Sequence, residues 1–228
     1  RILDKIEYTD ANFITTSPDA LNFLPKKKLS LFMPNPTDPS FEILNNYEND
    51  QCSMDVFFAL SHGVHRGILK PGKYDERADF VNRLVEVTPN VKFDLYGINN
   101  VQPIWADSFL KSISNAKMGV NLSRGNPIKY YSSDRITQLI GNGLLTFIHK
   151  DTLYNNFFTN KEVIFYSNLI DLSEKIQRFA RDDIARKKIA KDGKTKYMKY
   201  FNSTVVANYI INKTFELKNK DKFLWENK

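Results

Sequence analysis

The side chains best suited to handling an anion are concentrated in residues 121–143, NLSRGNPIKYYSSDRITQLIGNG. Polar, basic and aromatic residues here join an apolar strand pattern to a short helical one. Ser132 or Ser133 is placed to cap the helix, and Asp134 complements its dipole. The free N–H groups of such a first turn bind phosphate, and Arg124 and Lys129 would reinforce the site. On the 3.6-residue period Ile136, Leu139 and Ile140 share one face, which must meet the core. Asp134 and Gln138, four apart, share the opposite one. A solvated surface is the simplest reading of that polar face, and a ligand contact is the alternative.

Two other loops carry weaker signals. In SHGVHRGILKPGKYDER (residues 61–77), Gly63 and Gly67 allow close backbone approach, and Arg66, Lys70 and Lys73 bring charge. That combination suits a phosphate cradle and equally suits a solvated loop. In YGINN (residues 96–100), Gly97 permits a tight turn and Tyr96 could pack on a base, although a strand-end tyrosine is more often core or rim. No Walker A, G-x-G-x-x-G or G-x-S-x-G spacing occurs. His62 and His65 are three apart without a carboxylate or cysteine at ligand spacing, so no metal is expected. His149, near Asp151, reads as a loop residue rather than a general base.

The 228 residues include 33 Lys+Arg against 26 Asp+Glu, a formal net charge of +7, which favours anionic partners. Candidates are phosphorylated small molecules, an anionic membrane surface and nucleic acid. The cations form no single stripe with an RNA-binding aromatic motif, so nucleic acid is not expected. Cys52, the one cysteine, excludes an internal disulfide and fits a reducing compartment. Apolar runs such as DVFFAL and GLLTFI are too short to span a bilayer. The chain opens on Arg1 without a signal-peptide pattern and reads as part of a longer protein.

The elements that must position these residues alternate. ANFITTSPDALNFL reads as strand, cap and helix, with Ser17 as cap and Pro18 in the first turn, and KLSLFMP returns as a strand. Residues 11–33 therefore form one β-α-β unit. NPTDPSFEILNNYENDQ, broken by prolines, follows as a linker. DVFFALS has the continuous apolar character of a strand buried on both faces. DERADFVNRLVEV is helical, with Phe80, Val81, Leu84 and Val85 at helical spacing. VKFDLYG, KMGVNLS, GLLTFI and VIFYS are further strands, and WADSFLKSISNA and LIDLSEKIQRFARDD further helices. The alternation defines an α/β class with a doubly wound parallel sheet. STVVANYIINKTFEL supplies a last helix with a stripe of Val205, Val206, Tyr209 and Ile210, and KNKDKFLWENK reads as a frayed basic tail.

Residues 134–202 resemble the C-terminal half of GT-B glycosyltransferases, in particular the bacterial glycosyl transferase family 1 group that includes spore-maturation-type proteins. The likeness rests on Arg135, the helix position of Gln138, Gly141-Asn142-Gly143 before an apolar strand, FYSNLIDL, and the basic helix RKKIAKDGK. It extends over roughly residues 54–210. It implies an active site between two Rossmann-like domains, a nucleotide-sugar donor held by the second, and a diphosphate near a helix N-terminus and basic side chains. The helix's acidic residue would bind the ribose; here Gln138 stands in its place, an amide that can hydrogen-bond a hydroxyl but carries no charge. The family's pair of glutamates eight apart is also missing, with Tyr130 where the first would fall.

On this resemblance, residues 1–46 are the end of an N-terminal Rossmann-like domain plus linker, 51–199 the nucleotide-sugar-binding domain, and 200–228 a C-terminal helix and basic tail. The implied donor-binding set is Gly63, Arg66, Lys73, Tyr96, Gly97, Arg124, Lys129, Ser132, Ser133, Asp134, Arg135 and Gln138, with no catalytic residue assigned. The nucleotide-sugar enters as substrate, without cofactor or metal, and the acceptor is a glycan or lipid-linked molecule of surface polysaccharide synthesis. The location is cytoplasmic, at or near the inner membrane face. A GT-B-like binding module without catalysis is the competing reading, and a nucleic-acid-binding protein, resting on net charge alone, is the third.

Overall fold

The computed structural model describes residues 2–61, 64–65, 68–69, 75–217 and 222–226. In chain order the strands are β1 (Ala11–Ile14), β2 (Leu29–Phe32), β3 (Met54–Ala59), β4 (Val64–His65), β5 (Ile68–Leu69), β6 (Phe93–Tyr96), β7 (Ala116–Asn121), β8 (Leu145–His149) and β9 (Ile164–Tyr166). The helices are α1 (Ile2–Ile6), α2 (Glu76–Val87), α3 (Ala106–Ser114), α4 (Asp134–Gly141), α5 (Leu169–Arg181), α6 (Asp183–Tyr200) and α7 (Ser203–Thr214).

Five parallel strands form the main sheet in the order β6-β3-β7-β8-β9, the doubly wound topology expected from the alternation. Strand β3 explains why its sequence is apolar throughout. Val56 and Phe58 enter a core with Val81 and Leu84 of α2 and Leu172 and Ile176 of α5. Phe57 points the other way, into a cluster with Ile113 of α3 and Leu139 of α4. Helices thus cover both faces, and the connections leaving β3 and β7 run to opposite sides. The resulting crevice lies at the carboxyl ends of β3 and β7, where open α/β sheets hold their ligands.

A separate parallel pair, β1-β2, packs beside α7. Phe32 joins an aromatic cluster with Tyr130, Tyr154, Phe157, Phe158, Tyr197 and Phe201. Helix α4 is wedged between cores: Leu139 enters the sheet side, while Ile136 and Ile140 enter the aromatic cluster.

Four local expectations change. The β1-β2 crossover contains a single 3-10 turn, Pro18–Ala20, not a helix. The Ser17 hydroxyl donates to Asp19 instead of accepting an N–H, and Pro25 blocks extension of a helix. The apolar stripe of α2 is narrower than its spacing suggested, because Val81 and Leu84 are buried while Val85 lies on the exposed flank. Residues 35–51 are irregular, as their prolines require, but fastened: Asn46 is buried and donates to the carbonyls of Ile113 and Ala116, and Thr37 bridges to Asn202. The tail is not frayed at Phe223 and Trp225, which are buried against Tyr209 and Phe201.

The turn after β6 shows how closely the strand ends are packed. Gly97 has φ +74°, and a Cβ there would lie 1.9 Å from the carbonyl oxygen of Leu60. Gly97→Ala combines left-handed strain with a backbone overlap and should destabilise the chain by about 2–4 kcal/mol, read as a lower urea midpoint with an unchanged m-value.

Candidate functional site

The crevice at the ends of β3 and β7 opens into a cleft of about 570 Å³ between the N-termini of α3 and α4. That volume suits a ligand of nucleotide size. Its two walls differ. Phe57, Ile104, Trp105, Phe109 and Leu110 form an apolar side, and Ser133, Asp134, Arg135, Gln138 and Asn142 from α4 and its ends form a polar one. Arg77 of α2, Phe41 and Glu42 of the connecting segment, and Leu60, Ser61 and Tyr131 also line it.

Arg135 dominates the electrostatics. Its Nη1 donates to the Leu122 carbonyl at 2.9 Å and its Nη2 to the Ala59 carbonyl at 3.1 Å, so the ends of β7 and β3 hold the guanidinium in place. The group lies 4.9 Å from the Phe58 ring centroid. Its Nε has no hydrogen-bond partner, and the carboxylates that act on it, Asp75 and Asp134, do so without a direct ion pair among the described residues. Burial, and secondarily the neighbouring Arg77, lowers its pKa to about 10. A cation so shielded, with no direct carboxylate partner, is suited to an anion in the cleft. Arg77 also lines the cleft, but its guanidinium is shared with Asp75, 2.7 Å away.

The N-terminus of α4 adds to that field. Ser133 occupies the N-cap position, yet its hydroxyl bonds Asn121 Oδ1 rather than capping an N–H. Ser132 is buried and accepts from the Asn35 N–H. Asn35 works as a clasp. Its Nδ2 donates to Asp134 Oδ1 at 3.0 Å, and its carbonyl accepts from Thr137 and Tyr197 hydroxyls. The helix start is thereby fixed from outside, while its first-turn N–H groups keep the orientation that binds anions.

The expected residues therefore separate. Ser133, Asp134, Arg135 and Gln138 converge on the cleft. Gln138 is half-buried in the cleft lining rather than on an open face, and its side-chain amide makes no hydrogen bond among the described residues. Ser132 stands behind the wall as a structural contact. Lys129 turns away to Asp19, 2.6 Å distant, and Arg124 is exposed outside the lining. Tyr96 packs on Phe57, with its hydroxyl accepting from Ser112, and Gly97 serves the packing described above. Neither lines the cleft. Gly63, Arg66 and Lys73, with His62, Gly67 and Lys70, lie outside the described residues, as does the side chain of His65. His149 is structural, its ring nitrogens meeting the Asp151 N–H and the Ser167 carbonyl. Among the described residues no three His, Cys, Asp or Glu side chains converge on a metal-sized site.

Sequence reasoning passed over Trp105, Arg77 and Glu42. Trp105, half exposed at the start of α3, had a readable signal as a large aromatic preceding a helix after a strand-end loop. Arg77 lay within an ordinary amphipathic helix, and Glu42 within a segment taken as linker; neither carried one.

Fold and cleft define a doubly wound α/β unit with a cleft lined by Arg77, Arg135 and the start of α4 at its topological switch point. A family described as "Glycosyl transferase-like" matches residues 77–212, more than half of the chain, and the chain belongs to that family. No curated protein matches its sequence. Among solved structures, it superposes on a Staphylococcus aureus TarM mutant in complex with Fondaparinux, alpha-GlcNAc-glycerol and UDP with TM-score 0.66 and 14% identity, covering 93% of this chain and 45% of that one. Anabaena HepE in complex with UDP-glucose gives TM-score 0.62 and 10% identity, over 93% of this chain and 65% of HepE. Sucrose-phosphate synthase from Thermosynechococcus elongatus gives 0.62 and 12%, over 94% and 60%. The chain thus spans about half to two-thirds of these proteins, and shares the fold of the C-terminal half of GT-B glycosyltransferases.

If Arg135 awaits an anion, inorganic pyrophosphate at a hundredfold excess over its Kd should raise the melting temperature by about 5 °C or more. Arg135→Met keeps an apolar stem over Phe58 and should abolish the shift in differential scanning fluorimetry; an undiminished shift in the variant would place the anion elsewhere.

Proposed function

We propose that this chain is the donor-binding part of a glycosyltransferase that moves a sugar from a nucleotide-sugar to a glycan or lipid-linked acceptor. The observation that carries this reading is the desolvated, unpaired guanidinium of Arg135 beside the N-terminus of α4, facing an apolar wall across a nucleotide-sized cleft. The cation and the helix end take the diphosphate. The base stacks on Trp105, and the free amide of Gln138 meets a sugar hydroxyl.

The chemistry follows from that placement. When an acceptor hydroxyl oxygen bonds to the anomeric carbon, its proton passes to water or to the departing diphosphate, the bond from that carbon to the phosphate oxygen breaks, and that oxygen keeps the electron pair. Negative charge grows on the departing diphosphate, where Arg135 and the α4 dipole stabilise it in a water-poor site. The protein's own cations supply this charge, so the proposal includes no metal. A surface polysaccharide product and a cytoplasmic site near an anionic membrane fit the net charge of +7. No helix among the described residues is long and apolar enough to cross a membrane. Titration calorimetry with UDP-, GDP-, ADP- and CMP-sugars tests the proposal: one should bind, and none binding would sink it. Turnover with an acceptor glycan then separates an enzyme from a binding module, the reading that Gln138 in an acid's place favours.

Trp105 gives an internal reporter, since the other tryptophan, Trp225, is buried in the aromatic cluster. The bound nucleotide should quench intrinsic fluorescence, and Trp105→Leu should remove the quenching and weaken binding about tenfold, in line with the 1–3 kcal/mol of a base–aromatic stack.

A further inference from the structure

We infer that Glu42, on the segment before β3, is a positioning residue for the cleft. Its carboxylate clasps that segment to the end of α4 and so sets where Arg135 and Gln138 stand. It acts through α4 instead of touching the nucleotide, and its effect on ligand binding rests on the donor reading.

The clasp begins at Thr37, which is fully buried. Its N–H donates to the Phe201 carbonyl and its carbonyl accepts the Ser203 N–H, each at 2.9 Å, so its backbone is bridged to the turn between α6 and α7. The Thr37 hydroxyl has one proton to give. Glu42 Oε2 at 3.1 Å is a far stronger acceptor for it than the Met198 sulfur at 3.6 Å. The same Oε2 accepts the Asp38 N–H at 2.7 Å. Asp38 closes the loop: its carbonyl accepts the N–H groups of Phe41 and Glu42, and its Oδ2 accepts the Ser203 hydroxyl. One carboxylate oxygen thus folds residues 37–42 into a turn fastened to the start of α7.

That turn is seated on α4. A Cβ at Gly141 would come within 2.5 Å of Glu42 Cγ and 2.8 Å of Thr37 Oγ1, so the helix has no side chain where both partners of the clasp rest. Beyond Glu42 the segment stays on the helix end. The Leu44 N–H donates to Asn142 Oδ1 and the Asn46 N–H to the Asn142 carbonyl, while Lys194 of α6 donates to the carbonyls of Glu42 and Leu44. Glu42 is also where two cavities meet, since it lines both the cleft and a second groove of about 650 Å³ with Lys194, Met198 and Asn202. It is placed as the partition between them. The segment therefore grips both ends of an eight-residue helix, Asn35 at the start and Glu42 at the close. Gln138 lies about one turn before Gly141 and Arg135 about two, so a shift of the seated end carries both.

Hydrogen exchange and nucleotide titration on the same variants test the assignment. Glu42→Ala removes the clasp, and amides in 37–44 and 139–144 should exchange about tenfold faster while α5 keeps its wild-type rate. Whichever of UDP, GDP and ADP binds the wild-type chain should bind this variant about tenfold more weakly. Glu42→Gln retains an acceptor oxygen for Thr37 and Asp38 and should recover most of both losses. Thr37→Val lies outside the cleft lining and should reproduce part of them. Added to Glu42→Ala it should cost nothing further, because the two variants break one contact. Wild-type exchange in Glu42→Ala, or a Glu42→Gln variant as impaired as Glu42→Ala, overturns the positioning role. Faster exchange with unchanged nucleotide affinity confines the clasp to stability and also overturns it. If none of the three nucleotides binds the wild type, the donor reading falls, while the exchange rates still decide whether the clasp holds α4.

Discussion

A guanidinium partly shielded from water between two strand ends is the constraint on which this cleft turns. Two carbonyls fix the position of Arg135 without cancelling its charge, and the desolvation is large enough to pull its pKa down to about 10. A buried unpaired charge costs stability, so the surrounding structure must hold it there against a penalty. Some of that support is the Phe58 ring beneath it, and some is the rigidity of a parallel sheet covered on both faces. Without an anion the site is strained electrostatically; with one, the same burial strengthens the attraction.

Such a charge is useful only if the helix carrying it cannot rotate or slide. Helix α4 has eight residues, too few to be stable by itself. It is fixed by burial on two flanks, with Leu139 in one core and Ile136 and Ile140 in another, and by Asn35 at its start. Asn35 lies on the segment leading from the β1-β2 pair, and Ser132 also receives its N–H. The backbone of the same region is tied to the β1 end, through Ser132 N–H to the Thr15 carbonyl and Ser17 N–H to the Lys129 carbonyl. The small sheet and its outgoing segment thus hold the start of α4 in register, and Phe32, packed on Tyr130 and Phe157, supplies the apolar part of that grip.

The same distinction explains what the sequence could and could not reveal. Periodicity exposed the α/β alternation and the apolar face of α4, because a strand buried on both faces and an amphipathic helix leave direct patterns. Helix grammar pointed to 132–138, of which Ser133, Asp134, Arg135 and Gln138 line the cleft, yet it assigned the accompanying cations by proximity. Lys129 pairs with Asp19, 110 residues away and off the cleft, whereas Arg135, inside the helix, is held at the cleft by the Leu122 and Ala59 carbonyls; neither set of partners is readable from local spacing. Ser17 and Pro18 had the form of a helix start, but a cap signal cannot create a helix where Pro25 leaves too little chain. The tail was misread because Phe223 and Trp225 are isolated apolar residues among charges; only the facing Tyr209 and Phe201 reveal their role.

Gln138 acquires a physical explanation once the cleft is treated as a graded field. The start of α4 is positive, through the helix dipole and Arg135, and the half-buried Glu42 beyond its last turn is negative. An acid at 138 would stand about one turn from Glu42 in the same low-dielectric pocket, and two carboxylates so close could not both ionise without cost. An amide at 138 avoids that repulsion and still offers both a donor and an acceptor. In this arrangement the negative charge is carried by the segment that packs over Gly141, and neutrality at position 138 is the condition that lets Glu42 keep it.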